Sequence, residues 1–171
     1  RKMGATYPRH VITKMSANHN GDINKALKII EEATLAGTGP VKIQTYTANT
    51  LTLRSNLPDF QITDGLWAGR TLYDLYEWGR TRWDWHKHLF DNARELNITI
   101  FSAPFDTSTI ESLEDLNSPA FTIVSLEALD VPLIKYAAAT GKPSTISTGM
   151  SDSEKIHEAI ILKSKYCLNF M

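Results

Sequence analysis

Five short β-type runs alternate with stretches of helical periodicity: "HVITKMSA" from residue 10, "VKIQTY" from 41, "TIFSAPF" from 99, "AFTIVSL" from 120 and "PSTIST" from 143. The last three begin 21 and 23 residues apart, the length of one compact strand-helix unit. Strand alternating with helix predicts a parallel sheet joined by crossover helices. Between the runs, "DINKALKIIEEATLAG" places Ile23, Ala26, Leu27, Ile30 and Ala33 at helical spacing, with Gly37 as a stop. "WDWHKHLFDNARELN" repeats the pattern through Trp85, Leu89, Phe90, Ala93 and Leu96. Ser108 with Glu111 and Ser151 with Glu154 have capping-box spacing and predict the starts of two more helices.

The second and third runs stand much farther apart, which predicts an insertion over about residues 47–82, an ordered, aromatic loop with a short helix near Leu72 to Trp78. Loops of that length are commonly lids or binding segments; a subunit contact or a plain decoration is the equal alternative. Two architectures suit such units, an open doubly wound sheet or a (β/α)8 TIM-type barrel. No G-x-G-x-x-G or G-x-x-x-x-G-K-[ST] loop follows any strand, so the barrel is favoured. A complete barrel takes about 250 residues, and only about five βα units fit in this chain.

Composition narrows the partners. The 171 residues carry 18 Lys and Arg against 19 Asp and Glu, a net charge of −1, so neither a nucleic-acid footprint nor a polybasic membrane anchor is expected. The apolar runs are too short for a bilayer-spanning helix of about 20 residues. A single cysteine, Cys167, and no charged-then-apolar leader before the first run lead us to expect a cytoplasmic protein acting on a small molecule. The start at Arg1 suggests processing or an incomplete chain.

In either architecture ligands gather at the carboxyl ends of the strands. There the runs deliver Ser16, Asn18, His19 and Asn20; Lys42 and Gln44; Ser102 to Asp106; Ser125 and Glu127; and Ser147, Thr148 and Gly149. Period-2 alternation puts Lys42 and Gln44 on one face of "VKIQT" and Val41 and Ile43 on the other. With helices outside, Lys42 points inward, where a ligand phosphate or carboxylate would offset its charge; an ion pair with Glu127, or with another strand-end acid, is the alternative. The same alternation puts Ser125 and Glu127 on a shared face. Ser147 can equally cap a turn. His19 suits an acid or base but can equally bond neighbouring backbone, and Trp83 and Trp85 suit helix packing better than a sugar platform. No His, Cys or Asp cluster has metal spacing.

The motifs "SANHNGD", "VKIQTYTANTLTL", "DGLWAGRTLYDLYEW", "FSAPFD" and "KPSTISTGM", in this order from about His10 to Ile160, resemble the sialic acid synthase family, most of all its pseudaminic acid synthase branch. The resemblance implies condensation of phosphoenolpyruvate with the open-chain aldehyde of an N-acetylated hexose, of the 2,4-diacetamido-2,4,6-trideoxy-hexose or N-acetylmannosamine type. The products would be phosphate and a nine-carbon 2-keto acid. It also implies a homodimer, a divalent manganese or magnesium ion, an N-terminal (β/α)8 barrel and a C-terminal antifreeze-like domain. Residues 1–171 would be the N-terminal part of that barrel, without the later domain and without the metal ligands, which lie on later strands.

Carried over by position, the resemblance gives Lys42 to phosphoenolpyruvate, Ser125 and Ser147 to its phosphate or carboxylate, and Gln44 and Glu127 to the acceptor sugar. Lys42 and Glu127 are the expected catalytic pair, with Asn18 and His19 beside the substrate. The family usually has glutamate at Lys14, lysine at Thr122, a hydroxyl residue at Ala103 and proline at Arg82. These departures leave a truncated or impaired barrel with a binding or structural role as the competing expectation. An aldolase-type barrel is weaker, because no strand lysine has the apolar setting that Schiff-base chemistry favours.

Overall fold

The computed structural model describes residues 11–166; Cys167 lies outside them. Five strands, β1 (Thr13–Lys14), β2 (Val41–Thr45), β3 (Ile100–Pro104), β4 (Phe121–Ile123) and β5 (Ser144–Ile146), pair in parallel in the order β1-β2-β3-β4-β5. A doubly wound sheet reverses direction at a switch point; sequential order with a helix in each connection is the pattern of a barrel wall. The expected five βα units of a TIM-type barrel are therefore present, as an arc.

The helices are α1 (Ile23–Leu35), α2 (Ala48–Leu51), α3 (Leu72–Gly79), α4 (Trp83–Glu95), α5 (Thr107–Asp115), α6 (Val131–Ala139) and α7 (Ser153–Tyr166). None is long and apolar enough to cross a membrane. The capping boxes read from Ser108 and Ser151 need correction: aspartates do the capping. Asp106 accepts from the Thr109 amide at 2.7 Å and Asp152 from the Lys155 amide at 2.9 Å. A carboxylate at a helix start outcompetes a hydroxyl because it also meets the positive end of the helix dipole.

Alternation sorts the sheet into two faces. Val41, Ile43, Ile100, Phe121, Ile123 and Ile146 pack outward against Ala26, Ile30, Leu89, Phe90, Ile110, Leu113, Leu133 and Ile134, one continuous core between sheet and helices. Lys42, Gln44, Phe101, Ala103, Thr122 and Thr145 occupy the intervening positions, and the register sets Lys42 beside Phe101, Gln44 beside Ala103 and Thr122 beside Thr145. This second face is the inside of the arc. A cavity of about 590 Å³, lined by Ile12, Pro40, Thr99, Phe101, Pro119 and Thr145 among others, opens at its amino-terminal end.

A polar chain runs through the outer core. Thr45 Oγ1 lies 2.8 Å from His86 Nε2 and 2.6 Å from Ser102 Oγ, and His86 Nδ1 is 2.9 Å from the Arg82 carbonyl. The carbonyl can only accept, so Nδ1 carries the ring proton, Nε2 accepts from Thr45, and Thr45 accepts from Ser102. Burial holds the His86 imidazole below its ordinary value, with the Arg82 and Trp83 backbone and Asp84 opposing; burial does the same to His19. Their folded values lie under the unfolded one. The stability this represents is full above about pH 6.5 and is lost as pH falls through the folded values. Thermal melts should show the midpoint dropping between pH 7 and pH 5, and a flat profile would contradict two buried neutral histidines.

Candidate functional site

Lys42 and Gln44 stand on the inner face of β2, Gln44 near the carboxyl end of the strand and Lys42 nearer its start, both half-buried, between the buried Val41, Ile43 and Thr45. The alternation read from the sequence holds here. Lys14, next in register on β1, shares the face, because its successor Met15 is fully buried in the outer core. Burial and the neighbouring Lys14 charge both lower the pKa of the Lys42 ammonium. Neither lysine forms an ion pair among the described residues. The Lys42–Glu127 pair held open from the sequence is thus not formed. Ser16, just past β1, donates its hydroxyl to Gln44 Oε1 at 2.8 Å, which fixes the amide and leaves its NH₂ facing away.

The "NHNG" segment spends much of its hydrogen bonding on itself. Asn18 Nδ2 donates to the Met15 carbonyl at 2.8 Å, and His19 Nδ1 accepts from the Gly21 amide at 3.1 Å. Asn20 and Gly21 adopt the left-handed conformation, with φ of 51° and 73°; a short polar side chain and a missing Cβ make that turn possible. His19 is fully buried and meets Trp85 edge-on, with ring centroids 5.4 Å apart. It takes the backbone-bonded arrangement, whereas Asn18 is exposed at the rim.

Around β4 and β5 the strand pattern needs correction. β4 ends at Ile123, so Ser125 lies in a turn and Glu127 opens a one-turn 3-10 helix, Glu127–Leu129. Period-2 alternation does not apply beyond Ile123, and the shared face assigned to Ser125 and Glu127 is lost. Ser125 turns toward the fifth strand instead, since a β-carbon at Gly149 would lie 3.5 Å from its hydroxyl. The Ser147 amide donates to the Ile123 carbonyl at 2.9 Å, so Ser147, Ser125 and Gly149 gather where the two strands end. Glu127 is half-buried with Oε2 shielded from solvent and unpaired. Burial, and secondarily the Asp130 charge, push its carboxyl above the ordinary value against the pull of its own backbone amide.

The insertion is ordered, and it is built over this end of the sheet. Leu51 of α2 and Tyr76 of α3 pack with Tyr46, Ala103, Phe105 and Val124 in a second apolar cluster at the carboxyl rim. The short helix expected near Leu72 to Trp78 is α3. Tyr46 contacts Tyr76 and Phe105 edge-on at 6.2 and 5.3 Å, and burial, with Tyr76 beside it, pushes its hydroxyl up to about 12, so it stays protonated. Of the two tryptophans weighed as a platform, Trp85 is buried in the core and Trp83 is partly exposed at the start of α4. Sequence reasoning placed Ser16 at the rim without its bond to Gln44, and it missed Tyr46. Ser16 belongs to a strand end in the sequence, but no periodicity predicts its bond to Gln44. Tyr46 reads as the last residue of a strand, and only the fold of the insertion shows what covers it.

A parallel arc with crossover helices, with polar side chains on its inner face and at the carboxyl ends of its strands, is the wall of a TIM-type barrel. The particular lineage follows from the rest of the chain. Residues 29–170 match the model of the NeuB family, and the chain belongs to that family. It is 40% identical over 155 residues to the pseudaminic acid synthase of Helicobacter pylori, covering 91% of this chain and 46% of that protein. Against the pseudaminic acid synthase of Campylobacter jejuni serotype O:23/36 it is 42% identical over 146 residues, covering 85% of this chain and 43% of that one. The chain therefore spans less than half the length of these curated relatives. The crystal structure of N-acetylneuraminic acid synthetase from Leptospira borgpetersenii superposes with a TM-score of 0.81 at 22% identity over 97% of this chain and 55% of that one, a likeness of fold.

Proposed function

We propose that this chain is the phosphoenolpyruvate-binding part of a pseudaminic- or sialic-acid-type synthase, joining phosphoenolpyruvate to the aldehyde of an N-acetylated hexose. The observation that carries the reading is Lys42: a half-buried cation without a counter-ion among the described residues, beside Gln44 on the inner face of a barrel-type sheet, in a chain 40% identical to a pseudaminic acid synthase. Desolvating an ammonium without a partner is costly, so such a group is kept where a ligand anion completes it.

The alkene carbon of phosphoenolpyruvate bonds to the aldehyde carbon, whose oxygen takes a proton. Water then adds to the cationic carbon that bears the phosphate, and that carbon–oxygen bond breaks to give the ketone and inorganic phosphate. In this scheme Lys42 holds the phosphorylated reactant, with Ser125 and Ser147 supplying hydroxyls to its phosphate or carboxylate. Gln44, fixed by Ser16, presents its NH₂ to the sugar. Glu127, whose carboxyl burial pushes above its ordinary value, donates the proton to the aldehyde oxygen as that oxygen becomes an alkoxide. The homodimer implied by the resemblance and the cytoplasmic setting expected from the single cysteine belong to the same proposal.

A divalent metal would polarise the aldehyde. Among the described residues no three His, Cys, Asp or Glu side chains are grouped to hold one, and no step here runs through it. The test is phosphate release from the full chain given phosphoenolpyruvate and 2,4-diacetamido-2,4,6-trideoxy-hexose or N-acetylmannosamine, with the product weighed by mass spectrometry. A nine-carbon keto acid supports the proposal, and phosphoenolpyruvate left intact with both sugars opposes it. Glu127→Gln should lower kcat about 100-fold or more and remove the fall in rate that deprotonation of an acid causes as pH rises. An unchanged pH profile would take the acid role away from Glu127.

A further inference from the structure

The register of the first two strands sets Lys14 directly beside Lys42, on strands that run about 4.8 Å apart. Both project into the arc, since Met15 on one side and Val41 and Ile43 on the other are fully buried in the outer core. No carboxylate reaches either lysine among the described residues. The third group at this corner, Gln44, is held by the Ser16 hydroxyl on its carbonyl oxygen and keeps its N–H donors free of that bond. The corner therefore presents two ammonium groups and an amide NH₂, with no carboxylate paired to them among the described residues. Two like charges at adjacent register positions repel each other, and a single negative charge leaves one of them uncompensated. A doubly charged tetrahedral anion, with three free oxygens, matches both the charge and the number of donors.

We propose that Lys14 and Lys42 together grip the phosphate of the substrate as a two-lysine clamp across β1 and β2, with Lys14 a second substrate-holding residue. The clamp rests on the reading of Lys42 as the phosphoenolpyruvate-holding group and extends it. The ammonium of Lys14 belongs to an exposed side chain, so substitutions there leave the packing of the sheet intact.

Calorimetric titration of the full chain with phosphoenolpyruvate and, separately, with inorganic phosphate tests this. Lys14→Gln should weaken both probes about tenfold to a hundredfold, the worth of one charge-assisted contact, and Lys14→Arg should restore most of the loss. Binding of phosphoenolpyruvate should strengthen as pH rises past about 6, where a phosphate ester gains its second charge, and that of inorganic phosphate at a higher pH. If Lys14→Gln leaves both affinities unchanged while Lys42→Ala abolishes them, the clamp is wrong and the reading of Lys42 stands. Unchanged binding in Lys42→Ala as well removes the reading on which the clamp rests. Should Lys14→Gln weaken phosphoenolpyruvate but not inorganic phosphate, Lys14 meets the carboxylate, and the phosphate assignment is overturned.

Discussion

Lys42→Ala is expected to reduce kcat/KM for phosphoenolpyruvate by at least about 100-fold. A charge-assisted contact to a bound anion is worth about 1.5–3 kcal/mol, and the developing positive charge at the phosphate-bearing carbon makes the placement of its phosphate matter further at the transition state. The substitution does not threaten the fold, because Lys42 faces the inside of the arc and no residue relies on it for an ion pair among those described. Removing an ammonium that burial and Lys14 already destabilise should leave the ligand-free protein equally or slightly more stable. The signature is lost activity with an unchanged or raised melting midpoint. Steady-state phosphate release and thermal melts on the same preparation distinguish this from simple unfolding. A variant with full kcat/KM would remove Lys42 from the site.

What the sequence made legible follows from which interactions are local. Strand-helix alternation is written in hydrophobic period, so the sheet, its helices and the inward direction of Lys42 and Gln44 could be read directly. The same period misled at Ser125 and Glu127, because it says which way side chains point within a strand and nothing about where the strand stops. β4 stops at Ile123, where the chain turns into the Glu127–Leu129 helix. The caps at Asp106 and Asp152 were missed by one or two residues for a similar reason: several polar side chains near each helix start compete, and their hydrogen bonds decide. Two features were out of reach. The Thr45–Ser102–His86 chain joins residues 41 and 57 positions apart. The cluster of Tyr46, Phe105 and Tyr76 depends on how the insertion folds back over the rim. A hint existed for the first, since His86 follows Trp85 on the apolar face of α4 that also carries Leu89 and Phe90, a position where an imidazole needs a buried partner.

The division of the sheet into an outer core and an inner wall leads to an unequal response at two phenylalanines. Phe121 on β4 is fully buried and belongs to the core between sheet and helices. Phe101 on β3 is nearly as buried, at 6% exposure, yet it belongs to neither apolar cluster, while both rings' residues border the cavity of about 590 Å³ at the amino-terminal end of the arc. Removing a ring costs its transfer free energy plus the cavity left behind, together about 3–5 kcal/mol for Phe→Ala in a close-packed core. Phe121→Ala should fall in that range, lowering the melting midpoint by about 10 °C for a chain of this size. Phe101 packs in neither apolar cluster, so its removal forfeits fewer close contacts than the loss of a ring held between sheet and helices. Phe101→Ala should cost about half as much or less. Paired urea and thermal melts of the two variants measure the difference directly. Equal losses would mean that the inner face is packed as tightly as the outer one, and the assignment of Lys42, Gln44 and Thr122 to an open inner wall would have to be redrawn.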